Sequence, residues 1–176
     1  MNVKHHDSAK GKPNLPTEIK HSGFSIVELM IVVLIMGLAL VKGIPLTVDW
    51  VNSARVTEAE SALVEAVGLA KAKALRNSQG VIDGSAVTAV CYGNARVSVV
   101  EAAAANSPAQ CAGGSTEIWK KSLNGNVDIA VGGTAFACLC VDAKARLSVL
   151  GSCNACSTST TFALSAGGIS DSVEIY

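Results

Sequence analysis

The chain has few of the residues on which enzymes and cofactor sites depend. Aromatic residues make up only 4% of its 176 residues, which offers little for a pocket that binds aromatic ligands. Its three histidines, His5, His6 and His21, lie near the N-terminus, so no Ser–His–acid set can form in the rest of the chain. A glycine-rich phosphate loop is also missing from the sequence. The sequence therefore predicts neither enzymatic activity nor a cofactor.

The chain also has no formal net charge, because its 14 basic and 14 acidic residues balance. This balance disfavours nucleic acid as the main partner. The charges are nevertheless unevenly placed. Residues 1–23 hold four lysines and two carboxylates, a net charge of +2, which leaves ten basic and twelve acidic residues, a net charge of −2, in the remainder. The basic segment has no helical apolar period, so it predicts a polar leader rather than part of a core.

A long apolar run follows this leader. Residues 24–41 contain one charged residue, Glu28, and together with residues 42–46 they approach the ~20 residues that span a bilayer. Because basic residues precede the run, the N-terminus is expected in the cytoplasm and the rest of the chain outside. That topology places all six cysteines, which lie between residues 91 and 156, in an oxidising compartment.

The position of small residues around the run indicates where the chain is processed. A secretory signal is cut at a small-residue motif after its apolar core, and residues 42–45 (Lys-Gly-Ile-Pro) offer no such motif. A small residue, Gly23, instead lies immediately before the run. Cleavage after Gly23 removes only the leader and retains the apolar helix in the mature chain.

The sequence of residues 23–30, GFSIVELM, followed by the apolar run, Gly37 and Pro45, resembles the type IV pilin and pseudopilin family over residues 22–77. The resemblance implies that a prepilin peptidase cuts between Gly23 and Phe24 and methylates the new N-terminus of Phe24. It also implies a single-pass precursor in the inner membrane with a periplasmic head. The mature subunit then joins other pilin subunits through its N-terminal helix in a filament at the cell surface.

A closer resemblance is to minor pilins and pseudopilins of the GspH/FimT type. Residues 62–77 (ALVEAVGLAKAKALRN) and the cysteine in the first expected strand carry it. It implies a minor subunit that primes assembly at the filament tip. A major pilin is the alternative, and the sequence leaves open whether the filament is a pilus, a DNA-uptake filament or a secretion pseudopilus.

Glu28 is the one acid in the apolar run. A charge at the centre of a bilayer costs roughly 2.5–3.5 kcal/mol by insertion scales, so such a residue usually has a partner. We hypothesise a pair with the α-amino group of Phe24, in the same or the next subunit, that sets the register between subunits. Alternatively, Glu28 reaches the lipid headgroups or stabilises the helix N-terminus through the helix dipole.

The apolar helix is predicted to continue to Asn77, with a kink at Pro45. Pro45 lacks the N–H that would bond to the Val41 carbonyl, and Gly37 and Gly43 weaken the helix further. We hypothesise that this stretch melts or bends in a filament; a static kink is the alternative. Apolar residues then recur at three- and four-residue steps on one stripe, namely Val56, Ala59, Leu63, Val67, Ala70 and Ala74.

The predicted fold is α+β and type IV pilin-like, with the long helix packed on an antiparallel sheet in a disulfide-stabilised head. We divide the chain into a cleaved leader (1–23), a transmembrane or filament-core helix (24–46), an amphipathic helix (47–79) and a β-rich head (80–176). Short β-type runs and turn residues mark the head. The expected strands are 86–92, 95–101, 116–120, 127–131, 135–141, 145–150, 159–164 and 172–176, with two-residue hairpin turns at 93–94 and 124–125.

Six cysteines in the predicted head indicate a disulfide framework: Cys91, Cys111, Cys138, Cys140, Cys153 and Cys156. The simplest pairing joins Cys91 to Cys111 and leaves the other four bonded among themselves, but 15 pairings are formally open. The C-x-C and C-x-x-C spacings also suit zinc. Predicted export favours disulfides over a metal site, and no βαβ pattern supports a thioredoxin-like motif.

A candidate DNA or ligand patch consists of Trp119, Lys120, Lys121, Lys144 and Arg146. Cations beside an aromatic side chain can contact phosphates and stack on bases. The patch makes a filament-tip DNA receptor or adhesin the alternative function. Because the chain after residue 23 carries net negative charge, a simple solvated face is the competing interpretation.

Overall fold

The computed structural model describes residues 23–124, 127–151, 153 and 156–175, with the side chains of residues 42–46 excepted. Helix α1 spans Ile26–Arg76, close to the predicted 24–77. Among the described residues, nine strands follow it: β1 (Thr88–Gly93), β2 (Arg96–Ala102), β3 (Ser115–Ser122), β4 (Asp128–Val131), β5 (Thr134–Ala135), β6 (Cys138–Val141), β7 (Cys156–Ser157), β8 (Thr161–Ala166) and β9 (Ile169–Glu174). Most of the predicted leader lies outside the described residues, and the predicted kink at Gly43 and Pro45 lies outside the described side chains.

The chain divides into two compact units, with the boundary between Val41 and Lys42. The described part of the first unit is helical from Ile26 onward. Within the described residues, no helix meets the length and apolarity required to cross a membrane.

The second unit has an α+β architecture, as predicted. One sheet has the strand order β3-β2-β1-β6-β7 and the other the order β5-β4-β8-β9. Antiparallel pairing was predicted throughout and holds for every pair of named strands except β6 and β7, which are parallel. A parallel neighbour requires a crossover connection. The chain between residues 141 and 156 supplies it.

Packing of α1 on the first sheet depends on small side chains. Ala59, Ala62, Ala66, Ala70 and Ala74 are fully buried, which lets the helix backbone lie close to the strands. The Thr88 hydroxyl of β1 donates to the Ala70 carbonyl at 3.0 Å, so even the polar group in this interface is satisfied. The predicted apolar stripe is therefore the face of α1 that meets the sheet.

The C-terminal end of α1 is capped by Asn77. Its backbone has a positive φ of 38°, and its side chain accepts a hydrogen bond from the Val81 N–H at 2.8 Å and donates to the Val81 carbonyl at 2.9 Å. Asparagine tolerates the left-handed conformation that ends helices. The predicted stop at residues 77–80 therefore has a local cause.

The first hairpin turn differs from the prediction by one residue. Gly93 still pairs with Arg96, so the two turn residues are Asn94 and Ala95, with φ of 52° and 51°. Positive φ at both central residues is the type I′ geometry, which matches strand twist. The second predicted turn includes Gly125, which lies outside the described residues.

Two predicted strands were wrong. The run 135–141 is interrupted, because Ala135 ends β5 in the second sheet and Cys138 begins β6 in the first. Phe136 lies between them and is buried against Tyr92 and Phe162, with ring centroids 6.5 and 5.2 Å away. This aromatic residue therefore fills the core where the chain changes sheets.

The predicted strand at 145–150 is instead a turn with isolated bridges. Asp142 is buried and its Oδ1 accepts hydrogen bonds from the backbone N–H groups of Lys144 and Arg146, both at 2.9 Å. Ala145 has a positive φ of 58°. An aspartate that bonds to backbone N–H groups ahead of it competes with strand pairing, and here it prevails.

Candidate functional site

The first candidate site is the apolar segment, defined as residues 24–41. Large hydrophobic side chains in this segment are all solvent-exposed, from 44% for Val32 to 79% for Ile26. They occupy ten of the eleven positions from Ile26 to Met36, so they cover every face of the helix. Contiguous apolar surface of this kind marks a site of association with protein or lipid.

The residues predicted for processing and registration lie at the start of this segment. Gly23 precedes the helix, and a Cβ built there would meet no atom within 4 Å. Glu28 is exposed in the first turn of α1, where a carboxylate also favours the helix dipole. Gly37, predicted to weaken the helix, lies in regular helix with open space around it. The pairing of Glu28 with Phe24 across subunits remains a prediction.

The second candidate site is the cysteine cluster, which comprises all six cysteines. The predicted disulfide Cys91–Cys111 is present, and a second disulfide joins Cys140 to Cys156. Cys138 and Cys153 lie outside these two bonds. The Sγ atoms of Cys138, Cys140, Cys153 and Cys156 nevertheless lie within 4.8 Å of one another.

Strand register explains why the cysteines converge. Cys91 of β1 is directly opposite Cys138 of β6, and Cys138 is opposite Cys156 of β7. Because side chains alternate along a strand, Cys91 points away from the face on which Thr88 contacts α1. The cluster therefore occupies the face of the first sheet opposite the helix.

Two loops bring the remaining sulfurs to this face. Cys111 belongs to the loop between β2 and β3, and Cys153 precedes β7. Gly151 lies directly over the Cys140–Cys156 disulfide, since a Cβ at this position would overlap both Sγ atoms. Only glycine allows the backbone to approach the sulfurs so closely.

The surroundings of Cys153 favour a reactive thiol. A hydrogen bond with the Cys138 side chain lowers the pKa of Cys153, burial raises it, and a hydrogen bond from the Cys111 backbone N–H lowers it, with a net pKa of about 7. Its Sγ lies 3.3 Å from Cys111 Sγ and 3.9 Å from Cys140 Sγ. Half of the thiol is therefore ionised near neutral pH, beside sulfurs of both disulfides.

The arrangement bears on the competing zinc interpretation. Four cysteine thiolates at tetrahedral spacing form the usual structural zinc site. Because Cys140 and Cys156 are bonded to each other, the group offers at most two thiolates, those of Cys138 and Cys153. The chemistry available to this oxidised cluster is thiol–disulfide exchange.

The predicted basic patch is not brought together as one surface. Lys120 and Lys121 lie on edge strand β3 opposite Ser98 and Val97. Lys144 and Arg146 follow the end of β6. Across the sheet, this end of β6 is level with Thr88 of β1, Glu101 of β2 and Thr116 of β3, and Thr116 lies at the opposite end of β3 from Lys120 and Lys121. The two pairs of cations are thus separated across two intervening strands and along the strand direction.

Most of these cations also have acidic partners. Lys120 contacts Glu117 at 3.0 Å, Arg146 contacts Asp142 at 3.0 Å, and Lys144 pairs with Asp83. Trp119 is half-buried against the core. DNA binding remains a prediction; reversing the charges of Lys120 and Lys121 and measuring DNA retention by intact cells tests it, and unchanged retention contradicts it.

Sequence reasoning missed two features of the second unit. The first is the Asp142 turn: burial would raise the pKa of Asp142, but the N–H groups of Arg146 and Lys144 and the Arg146 guanidinium outweigh burial, so the pKa is lowered. The Asp-x-Lys-x-Arg spacing is its sequence signal.

The second missed feature is Trp50, 74% exposed, which lines an open hollow with Ile169 and three polar residues of α1. A lone tryptophan carries no such signal.

Comparison with known proteins adds no assignment. Neither protein-family models, nor curated proteins, nor solved structures match this chain.

Proposed function

We propose that this chain is a structural subunit of a type IV pilus or a related secretion pseudopilus. The precursor is anchored in the inner membrane by residues 24–46, and a prepilin peptidase cuts after Gly23 and methylates Phe24. The mature chain then packs into a helical filament through α1. The observation that carries this proposal is the all-round exposure of large apolar side chains on residues 24–41.

A helix that is apolar on every face needs apolar surroundings on every side. A lipid bilayer supplies them before assembly, and a bundle of identical helices supplies them afterwards. Burying one large aliphatic side chain contributes about 1.5–3 kcal/mol. Any state in which the apolar segment is buried, in a membrane or in a fibre, is therefore strongly stabilised. This requirement fits a subunit that leaves the membrane only by entering a helix-packed fibre.

Apolar packing alone does not fix the register between neighbouring subunits, and Glu28 supplies this register. Cleavage after Gly23 creates a new α-amino group on Phe24, which can carry a positive charge. An ammonium and a carboxylate held in low dielectric attract strongly when they are paired and are costly when they are not. An incoming subunit with an unpaired Glu28 is therefore drawn to one register along its neighbour.

Within the family, we propose a minor subunit that primes assembly at the filament tip. The support for this narrower role is the resemblance of residues 62–77 to the GspH/FimT type. In the structure four of the five alanines of this stretch are buried, and Ala72 is exposed.

Replacement of Gly23 tests the proposal at its first step. The variant Gly23→Val leaves the fold unstrained, because no atom lies within 4 Å of the added Cβ. We expect mass spectrometry of the wild-type chain from its native host to show a methylated Phe24 N-terminus, and the variant to retain its leader and stay out of filaments.

The matched control is Gly37→Ala, another glycine with open space around it. We expect it to be processed normally, because it lies outside the cleavage motif. The proposal is wrong if Gly23→Val matures like the wild type, or if the wild-type N-terminus lies elsewhere, for example after Ala54.

A further inference from the structure

The cysteine cluster brings a thiol into contact with a disulfide that it does not belong to. Cys153 Sγ is 3.3 Å from Cys111 Sγ, which is closer than the 3.9 Å to Cys140 Sγ. Cys111 is exposed and Cys153 is half-buried, whereas Cys140 is fully buried. Of the two disulfides, Cys91–Cys111 is therefore the nearer and the more accessible to Cys153.

The surroundings of Cys153 favour the nucleophilic form of its sulfur. The Cys138 side chain and the Cys111 backbone N–H hydrogen-bond to it, and together they hold its pKa at about 7 against the effect of burial. The thiolate, not the thiol, attacks disulfides, and thiols with a pKa near the ambient pH react fastest.

We propose that Cys153 exchanges with the Cys91–Cys111 disulfide, so that the second unit exists in two covalent isomers. The Cys153 thiolate attacks Cys111 Sγ, the Cys111–Cys153 bond forms, and the Cys91–Cys111 bond breaks with Cys91 leaving as a thiolate. Cys91 then takes up the proton that Cys153 gave to solvent. One disulfide and one thiol are present before and after, so no oxidant or reductant is consumed.

The leaving sulfur has a place within the fold. Cys91 is nine-tenths buried on β1, directly opposite Cys138 of β6. Burial in this sheet disfavours a lasting Cys91 thiolate, so protonation completes the exchange. The released thiol remains on the sheet, where the reverse attack on Cys111 restores the first isomer.

The two isomers fasten different parts of the chain. In the first, the loop after β2 is tied to β1, in the middle of the first sheet. In the second, the same loop is tied to the loop before β7 and is released from the sheet. Thiol exchange thus decides whether the exposed loop around Cys111 is held by the core or only by a neighbouring loop. This inference stands on the sulfur positions and does not depend on the proposed function.

Peptide mapping of the full chain tests the exchange, because tryptic cleavage separates the relevant cysteines. Cleavage at Arg76, Arg96, Lys120, Lys121, Lys144 and Arg146 places Cys91, Cys111 and Cys153 on different peptides. Purified protein kept at pH 5 is shifted to pH 6 or pH 8 for the same short time, trapped with N-ethylmaleimide and digested under mildly acidic conditions. Cys153 and Cys156 share one tryptic peptide, which the Cys140–Cys156 disulfide already links to the Cys140 peptide. We expect this linked species to gain the Cys111 peptide through a Cys111–Cys153 bond, beside the Cys91–Cys111 pair.

The yield of the Cys111–Cys153 bond, compared between pH 6 and pH 8 and between variants, identifies the attacking thiol. A thiol with a pKa of about 7 is roughly one-eleventh ionised at pH 6 and roughly ten-elevenths ionised at pH 8, so the early yield rises about tenfold. Cys153→Ser is expected to abolish this bond and keep both original disulfides. Cys138→Ser is expected to retain it, because the attacking sulfur remains.

Three results overturn the inference. One is the absence of the Cys111–Cys153 pair in the wild type at both pH values. Another is a third disulfide between Cys138 and Cys153 that leaves no alkylated cysteine. The last is protection of four cysteines from alkylation that is lost only after a chelator is added, which indicates a metal site instead.

Discussion

Two stretches of α1 differ in the solvent exposure of their apolar side chains, and the stretch with the larger side chains is the more exposed. The apolar segment consists largely of Ile, Val, Leu and Met, all of them at least 44% exposed. Between Val56 and Ala74, α1 carries mainly alanine on its inner face, and these alanines are fully buried. Large apolar residues are thus exposed and small ones covered.

Side-chain size determines how closely each stretch can pack against a neighbouring element. Alanines let α1 lie close to β1, where its backbone accepts a hydrogen bond from Thr88. Large branched side chains in the apolar segment would prevent such close approach to a sheet. Large apolar side chains are therefore exposed in the apolar segment, and small ones are buried where α1 packs on the sheet.

The largest expected effect comes from truncating one leucine in each stretch. Leu63→Ala removes a fully buried side chain and is expected to lower the free energy of unfolding by about 2–5 kcal/mol. Leu34→Ala, at a 64% exposed position, is expected to change it by less than about 0.5 kcal/mol. Denaturant unfolding followed by circular dichroism compares the two. Equal effects would mean that the apolar segment is covered within the isolated chain.

A smaller effect is expected at Asp142, a buried carboxylate of the second unit. Asp142→Ala removes the acceptor of two backbone N–H groups and of the Arg146 guanidinium, for a loss of about 1–3 kcal/mol. Asp142→Asn keeps an oxygen for the N–H groups and is expected to lose less.

The pH dependence of this effect has a definite sign. The folded pKa of Asp142 lies below its ordinary value, so its charge stabilises the fold above about pH 4 and that contribution is lost as the pH falls through the folded pKa. The difference in unfolding free energy between wild type and Asp142→Asn should therefore be constant near neutrality and shrink in acid. A difference that grows in acid would contradict the assignment.

The smallest effect on stability, with the sharpest contrast in assembly, is expected at Glu28. Glu28→Gln removes an exposed carboxylate from the first turn of α1, which is worth about 0.3–1 kcal/mol through the helix dipole. Filament incorporation, measured by immunoblotting of sheared filaments, should nevertheless fall sharply if Glu28 pairs with the Phe24 ammonium. Glu65→Gln, also exposed on α1, is the matched control and should assemble normally. Equal incorporation of the two variants would argue against registration by Glu28.

Local patterns predicted the helical part of the fold well. The bounds of α1, its buried stripe and its Asn77 cap follow from residue spacing, because contacts within a helix join residues three or four apart. The pair Cys91–Cys111 was also predicted, as the simplest of many pairings. The turn at Asn94 and Ala95 was missed by one residue, since a glycine next to an asparagine suits either register.

Non-local contacts account for what was missed. Nothing near Phe136 shows that the chain changes sheets there, because the reason is its contact with Phe162, 26 residues away in sequence. The parallel pairing of β6 with β7 similarly depends on a crossover whose direction no short pattern encodes. The convergence of six cysteines follows from these pairings and not from their spacing.

By itself, the sequence determined an apolar helix, an amphipathic helix and a cysteine-rich β region, because each depends on composition and short-range periodicity; the leader remains a prediction. Only the tertiary structure decided that the β region forms two sheets, that Asp142 replaces a strand with a turn, and that Cys153 lies against a disulfide of other residues. Those features depend on which distant segments become neighbours, and that choice is made by the free energy of the whole packed core.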